Sequence, residues 1–105
     1  MSGGELYLGL KKAVAEIEES GTSAFGLSNA YLYALASVRP DSVAPQFRQE
    51  FDGIRSAYAG ADPSSVIDDS LAANSMLMLD DEELEKLAER IATLFHRVAE
   101  AEALP

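Results

Sequence analysis

A chain of 105 residues is one domain by length, and its 48 % apolar content is that of a globular protein able to bury one modest core. It contains no cysteine, which excludes disulfides, thiolate metal sites and a cysteine nucleophile, and favours a reducing compartment such as the cytoplasm. Eighteen acids against eight bases give a formal charge of −10, a balance that disfavours direct contact with a nucleic acid backbone or an anionic membrane surface and favours a basic protein partner or plain solubility.

The charge is uneven. Residues 61–105 hold eleven acids and only three bases. Met1-Ser2-Gly3-Gly4 carries no basic leader region, and Glu5, Lys11 and Lys12 interrupt the apolar residues behind it, so no secretory signal is expected. The longest uncharged stretch, Ser20 to Val38, contains Gly21, Thr22, Gly26, Ser28 and Asn29 and is too polar to span a bilayer.

The first helix is predicted over residues 3–19, with Ser2 and Glu5 at capping-box spacing. Leu6, Leu10, Ala13, Val14 and Ile17 form its apolar face, and Lys11, Lys12, Glu16, Glu18 and Glu19 take the other side. Ser20-Gly21 ends it, because glycine tolerates the left-handed conformation of a helix stop. The acids at its C-terminal end oppose the helix dipole.

The second helix begins either after Ser23 or at Ser28 and runs to Val38, with Phe25, Leu32, Leu35 and Val38 inward and Tyr31 or Leu27 flanking. Arg39-Pro40 stops it, since a residue before proline avoids helical angles. The third opens near Asp41 or Ala44 with Pro45 in its first turn, where the missing N–H costs nothing. Val43, Phe47, Phe51, Ile54 and Tyr58 follow at spacings of four, four, three and four, and Gly60 closes the helix.

Asp62-Pro63 is a cap-then-proline start for a short helix through Val66, Ile67 and Leu71. The run Asn74 to Leu79 either continues that helix or connects it to the next, and Met76-Leu77-Met78-Leu79 is expected to be buried from more than one side. The last helix runs from Asp81 to about Ala101. Asp80 and Glu83 form a capping box, Leu79 and Leu84 a hydrophobic staple, and Leu84, Leu87, Ile91, Leu94, Phe95 and Val98 an apolar seam. No β-branched run alternates with polar residues over a strand's length. The expected fold is therefore all-α: a four- to five-helix bundle, mostly antiparallel, with short loops, as one domain over residues 1–105.

Reactive chemistry is sparse. His96 is the sole histidine, on the last helix beside Arg97 and four residues before Glu100. It is read as a boundary residue paired loosely with that carboxylate. The Glu-x-x-His of di-iron bundles is missing, because Thr93 stands three before His96. Asp68-Asp69 and Asp80-Asp81-Glu82-Glu83 lack the ligand register of a calcium loop and suit first-turn positions that complement the helix dipole. No phosphate-cradling glycine motif occurs. No cofactor, metal or catalytic site is assigned, and no enzymatic activity is expected.

The seam of the last helix offers more apolar surface than one neighbour needs, which favours a homodimer or a partner helix. Leu87, Ile91, Leu94 and Phe95, with Tyr31 and Tyr33, are the candidate partner-binding residues. The two tyrosines lie roughly 200° apart on a helix, so one of them is either an exposed contact or a residue with its ring buried and its hydroxyl reaching water. Arg48 and Arg55 share a face of the third helix and are placed to receive acids of the last helix, either within the chain or from a second copy. Three functional readings follow. The first is a small cytoplasmic interaction or regulatory module, marked by an exposed apolar patch bordered by acids. The second is an acidic nucleic-acid mimic or antitoxin-like inhibitor, marked by acids between Asp62 and Glu89 lining one surface. The third is an enzyme built on His96, marked by that ring in a pocket beside a carboxylate.

Overall fold

The computed structural model describes residues 2–60 and 67–103, and within them the fold is helical throughout. Helix α1 spans Ser2–Ser20, α2 Ala24–Tyr33, α3 Pro45–Ala59, α4 Asp69–Leu77 and α5 Asp81–Ala103. Two 3-10 turns, Leu35–Ser37 and Pro40–Ser42, link α2 to α3. The result is a bundle 41 × 29 × 20 Å in extent.

Helix α5 is the spine. Asp80 caps it: its Oδ1 accepts the Glu83 N–H at 2.8 Å, and Glu83 Oε1 accepts the Asp80 N–H at 3.1 Å. Leu79 packs on the core from the position before the cap, as a staple requires. Leu84, Leu87, Ile91, Leu94 and Val98 are all buried, Ile91 and Leu94 completely. They face α1 on one side and α3 on the other. Both neighbours run antiparallel to α5. Tyr7, near the start of α1, stacks on Phe95 at 5.6 Å. Glu50 of α3 meets Arg90 at 3.2 Å, while Phe47, a turn earlier, lies under Arg97 at 5.7 Å.

The other helices close the core from above. Leu6, Leu10, Ala13 and Ile17 of α1 and Phe47, Phe51, Ile54 and Tyr58 of α3 are buried, as is Val43 just before α3. The Tyr58 ring lies 4.6 Å from that of Tyr31, and its hydroxyl donates to the Leu27 carbonyl at 2.9 Å. Burial pushes the phenol's pKa well above its ordinary value, with the neighbouring Tyr31 adding to it, so Tyr58 stays a hydrogen-bond donor.

Gly21, at φ +89°, ends α1 and turns the chain into α2, whose first turn is capped by the Ser23 hydroxyl accepting the Gly26 N–H at 3.1 Å. The corner is so tight that a Cβ on Gly26 meets the Gly21 carbonyl, a backbone atom that cannot step aside.

Several expectations need correction. Phe25 is 69 % exposed. Helix α2 starts at Ala24 and breaks at Ala34 (φ −136°, ψ −65°), so a single 3.6-residue stripe does not run from Phe25 to Val38. The inward set is Leu27, Ala30, Tyr31 and Ala34, and Leu35 and Val38 reach the core from the 3-10 turn instead. The Met76–Leu79 run is not buried throughout. Ser75 and Met76 are buried, but Leu77 and Met78 are 72 % and 84 % exposed, because α4 stops at Leu77 with its inward face already taken by the two residues before it. Asn74–Leu77 is thus helix, and Met78–Asp80 is the connector. Asp68, whose Oδ1 accepts the Leu71 N–H at 2.8 Å, caps α4. The expected Asp62-Pro63 start and Val66 lie outside the described residues, as does the Ser2 side chain of the proposed first capping box. Glu5, its other half, turns away to Arg39.

Replacing Ile91 by Ala leaves a void between α1, α3 and α5. Urea unfolding is expected to show a loss of about 2–5 kcal/mol, and an unchanged midpoint would refute this packing.

Candidate functional site

The residues singled out for partner contact divide sharply. Leu87, Ile91, Leu94 and Tyr31 lie in the interior against helices of the same chain, so they offer no surface. The seam is long enough to interest a partner, but α1 and α3 together already cover it. Phe95 is half-buried under Tyr7. Only Tyr33, 67 % exposed, stands free on the surface.

His96 is exposed on α5, with its ring tilted against Phe95 at 5.7 Å. A shallow surface depression beside it is lined by Thr93, Arg97, Ala99 and Glu100. Among the described residues no ion pair joins His96 to Glu100, and neither a serine nor a tyrosine lines that depression. No three His, Asp or Glu side chains among the described residues are placed to hold a metal ion.

Among the described residues no ion pair joins Arg48 or Arg55 to an acid of α5 within the chain. Arg48 donates to the Val43 carbonyl at 3.1 Å. The bridge between α3 and α5 has the opposite polarity, with Glu50 on α3 accepting from Arg90 on α5. Several acids of the second half are also occupied. Asp68, Asp80 and Glu83 cap helices, and Glu82 pairs with Lys86 at 3.4 Å. All four of these carboxylates remain exposed.

Of the other concavities among the described residues, two are lined by four apolar side chains each. The first lies between α1 and α5, with a volume of about 390 Å³. Val14 and Ile17 of α1 and Ala88 and Ala92 of α5 supply its apolar walls and floor, and Glu18, Glu85 and Glu89 stand around it with Thr22 at one end. All three glutamates are exposed, and no ion pair engages them among the described residues. Sequence reasoning missed this groove because it looked for large apolar side chains. The readable signal was a pair of four-residue spacings, Glu85/Glu89 and Ala88/Ala92, which put acids beside small residues on one flank of the seam. The second concavity, about 480 Å³, lies between α3 and α4 and is lined by Ala57, Leu71, Met78 and Leu79 with uncharged polar neighbours.

The bases of α5 lie on the flank opposite the glutamate groove. Lys86, Arg90, Thr93 and Arg97 line a concavity toward α3 with Glu50 and Glu89; Arg90 pairs with Glu50 of α3, and Lys86 with Glu82 of α5 itself. The bases of α5 thus gather toward α3, Glu85 lies toward α1, and Glu89 stands between them, bordering both concavities.

Glu5 fastens the start of α1 to the α2–α3 connection. Its Oε1 accepts the Arg39 N–H at 2.9 Å, and the Arg39 guanidinium lies 3.7 Å from Oε2. The Arg39 N–H is the main influence that holds the Glu5 carboxyl below its usual value of 4.5. Desolvation opposes it, and the Ser42 hydroxyl and the Arg39 charge assist.

No helix among the described residues is long and apolar enough to cross a membrane. No family model matches the chain, and no curated protein and no solved structure is similar to it.

A carboxyl whose pKa is lowered by folding stabilises the fold when ionised. The Glu5 contribution is complete above pH 4.5 and disappears as the pH falls through the lowered folded value. Glu5→Gln is expected to melt below the native chain at pH 7, with the difference closing as the pH drops below 4.5. A gap that persists undiminished at pH 3 contradicts an ionic contact.

Proposed function

We propose that this chain is a small, acidic, non-catalytic interaction module that holds another protein in the groove between α1 and α5, in a reducing compartment such as the cytoplasm. One observation supports this above the rest: an apolar-floored concavity surrounded by three carboxylates with no ion-pair partner among the described residues. A docking surface needs a floor that gains by losing water and a polar rim that sets orientation, and this groove has both. The setting of His96 supports the same reading: the ring is exposed, and no described serine or tyrosine lines the depression beside it.

Self-association is the second reading. It is favoured by Leu77 and Met78, two large apolar side chains exposed on consecutive residues. Met78 also lines the depression between α3 and α4, whose described lining residues carry no charge. Copies that each carry −10 repel one another, so an uncharged face is where two of them meet at least cost.

Capture from a native lysate on immobilised native chain, Ala92→Gln and Met78→Glu tests both readings. Ala92 is half-exposed and lines the groove, so glutamine there projects into it without breaking the helix. The docking reading expects a protein retained by the native chain and by Met78→Glu but lost from Ala92→Gln. Identical capture by all three contradicts it. Light scattering on the native chain and Met78→Glu settles the second reading. A dimer mass that falls to the monomer in the variant supports self-association, and a monomer mass for both refutes it.

A further inference from the structure

The α1–α5 groove has an unusual electrostatic setting. Glu16, Glu18 and Glu19 crowd the last turns of α1, and no basic residue stands in its last turn. The negative end of the α1 dipole therefore meets side chains of its own sign. Because α5 runs antiparallel, Glu85 and Glu89 come alongside from the other wall. The bases on α5 face away toward α3, where Lys86 and Arg90 are engaged with Glu82 and Glu50. Lys11 and Lys12 precede Val14, the first groove residue of α1, and do not line the groove. The chain thus sets three carboxylates around an apolar floor that no described Lys or Arg lines, and of the three only Glu89 also borders the concavity of Lys86 and Arg90.

The shape narrows the occupant further. Residues 85 to 92 of α5 cover about 10 Å at 1.5 Å per residue, which is two helical turns. Acids stand on both walls, Glu18 on α1 and Glu85 and Glu89 on α5, with the apolar residues between them. An occupant that satisfies this arrangement carries an apolar stripe with cations on both sides of it, which is the pattern of a basic amphipathic helix.

Resting on the docking reading above, we propose that the groove between α1 and α5 receives two turns of a basic amphipathic helix from a partner protein. Apolar side chains of that helix sit on Val14, Ile17, Ala88 and Ala92, and its Lys or Arg residues sit against Glu18, Glu85 and Glu89. Neutralising the crowded end of α1 is part of what makes binding favourable.

Three end-capped synthetic helices of the same length test this by fluorescence anisotropy and by backbone chemical-shift mapping. One has a leucine stripe flanked by lysines, one the same stripe flanked by glutamines, and one the lysines with serines replacing the leucines. The leucine–lysine peptide is expected to bind, to shift the amides of Val14, Ile17, Ala88 and Ala92, and to weaken steeply as salt is raised. Its affinity should fall about tenfold in the triple variant Glu18→Gln, Glu85→Gln, Glu89→Gln, and also in Ala92→Gln. Circular dichroism confirms that both variants fold. Equal binding of the lysine–serine peptide, or binding indifferent to both variants, overturns the proposal. If the leucine–glutamine peptide binds as tightly and is lost in Ala92→Gln, the basic occupant is wrong while the docking site stands. If no peptide shifts the groove residues, the occupant and the docking reading fall together.

Discussion

Covering the apolar edge of α5 is the constraint around which this molecule is built. Leu84, Leu87, Ile91, Leu94 and Val98 recur every three or four residues along a 23-residue helix, and burying an aliphatic side chain is worth about 1.5–3 kcal/mol. Two antiparallel helices, α1 and α3, flank that edge, and α2 and α4 complete the enclosure through Tyr31, Leu27 and Met76. The buried Tyr58 is tolerated in that interior because its hydroxyl reaches the Leu27 carbonyl.

Much of this was legible in the residues. The α5 seam, its capping box and its staple follow from local spacing alone, as do the α3 stripe from Phe47 to Tyr58 and the glycine stop at Gly21, because each is set within a turn or two of helix. What escaped was decided by breaks in periodicity and by small residues. Ala34 interrupts α2, so Phe25, a large apolar residue that looked like an anchor, faces water while Ala30 and Ala34 face the core. Leu77 and Met78 were read as buried from their hydrophobicity, but the helix ends beneath them. The candidate site was less legible than the fold. The large residues chosen for partner contact serve the chain's own core, and the groove that offers itself is lined by alanines and glutamates. Such residues ordinarily signal a solvated helix face.

Surface electrostatics follow from the same arrangement. With α5 wedged between two helices, its flanks become distinct surfaces, one with Glu85 facing α1 and one with Lys86 and Arg90 facing α3, with Glu89 bordering both. The basic flank is tied into the structure by Glu50 and Glu82. The acidic flank makes no such ties among the described residues and coincides with the C-terminal end of α1, so negative potential gathers where the floor is apolar. Ion pairs of this exposed kind add little stability; their value lies in selecting and orienting whatever approaches.

The central claim is that the α5 edge belongs to the chain's own core. Native-state amide hydrogen exchange tests it most directly. If the claim holds, the amides of Leu87, Ile91 and Leu94 exchange only through global unfolding, with the same free energy that denaturant unfolding gives and in step with the core of α1 and α3. If those amides exchange at a clearly lower free energy while α1 and α3 stay protected, α5 detaches as a unit and its apolar edge is held for something outside the chain.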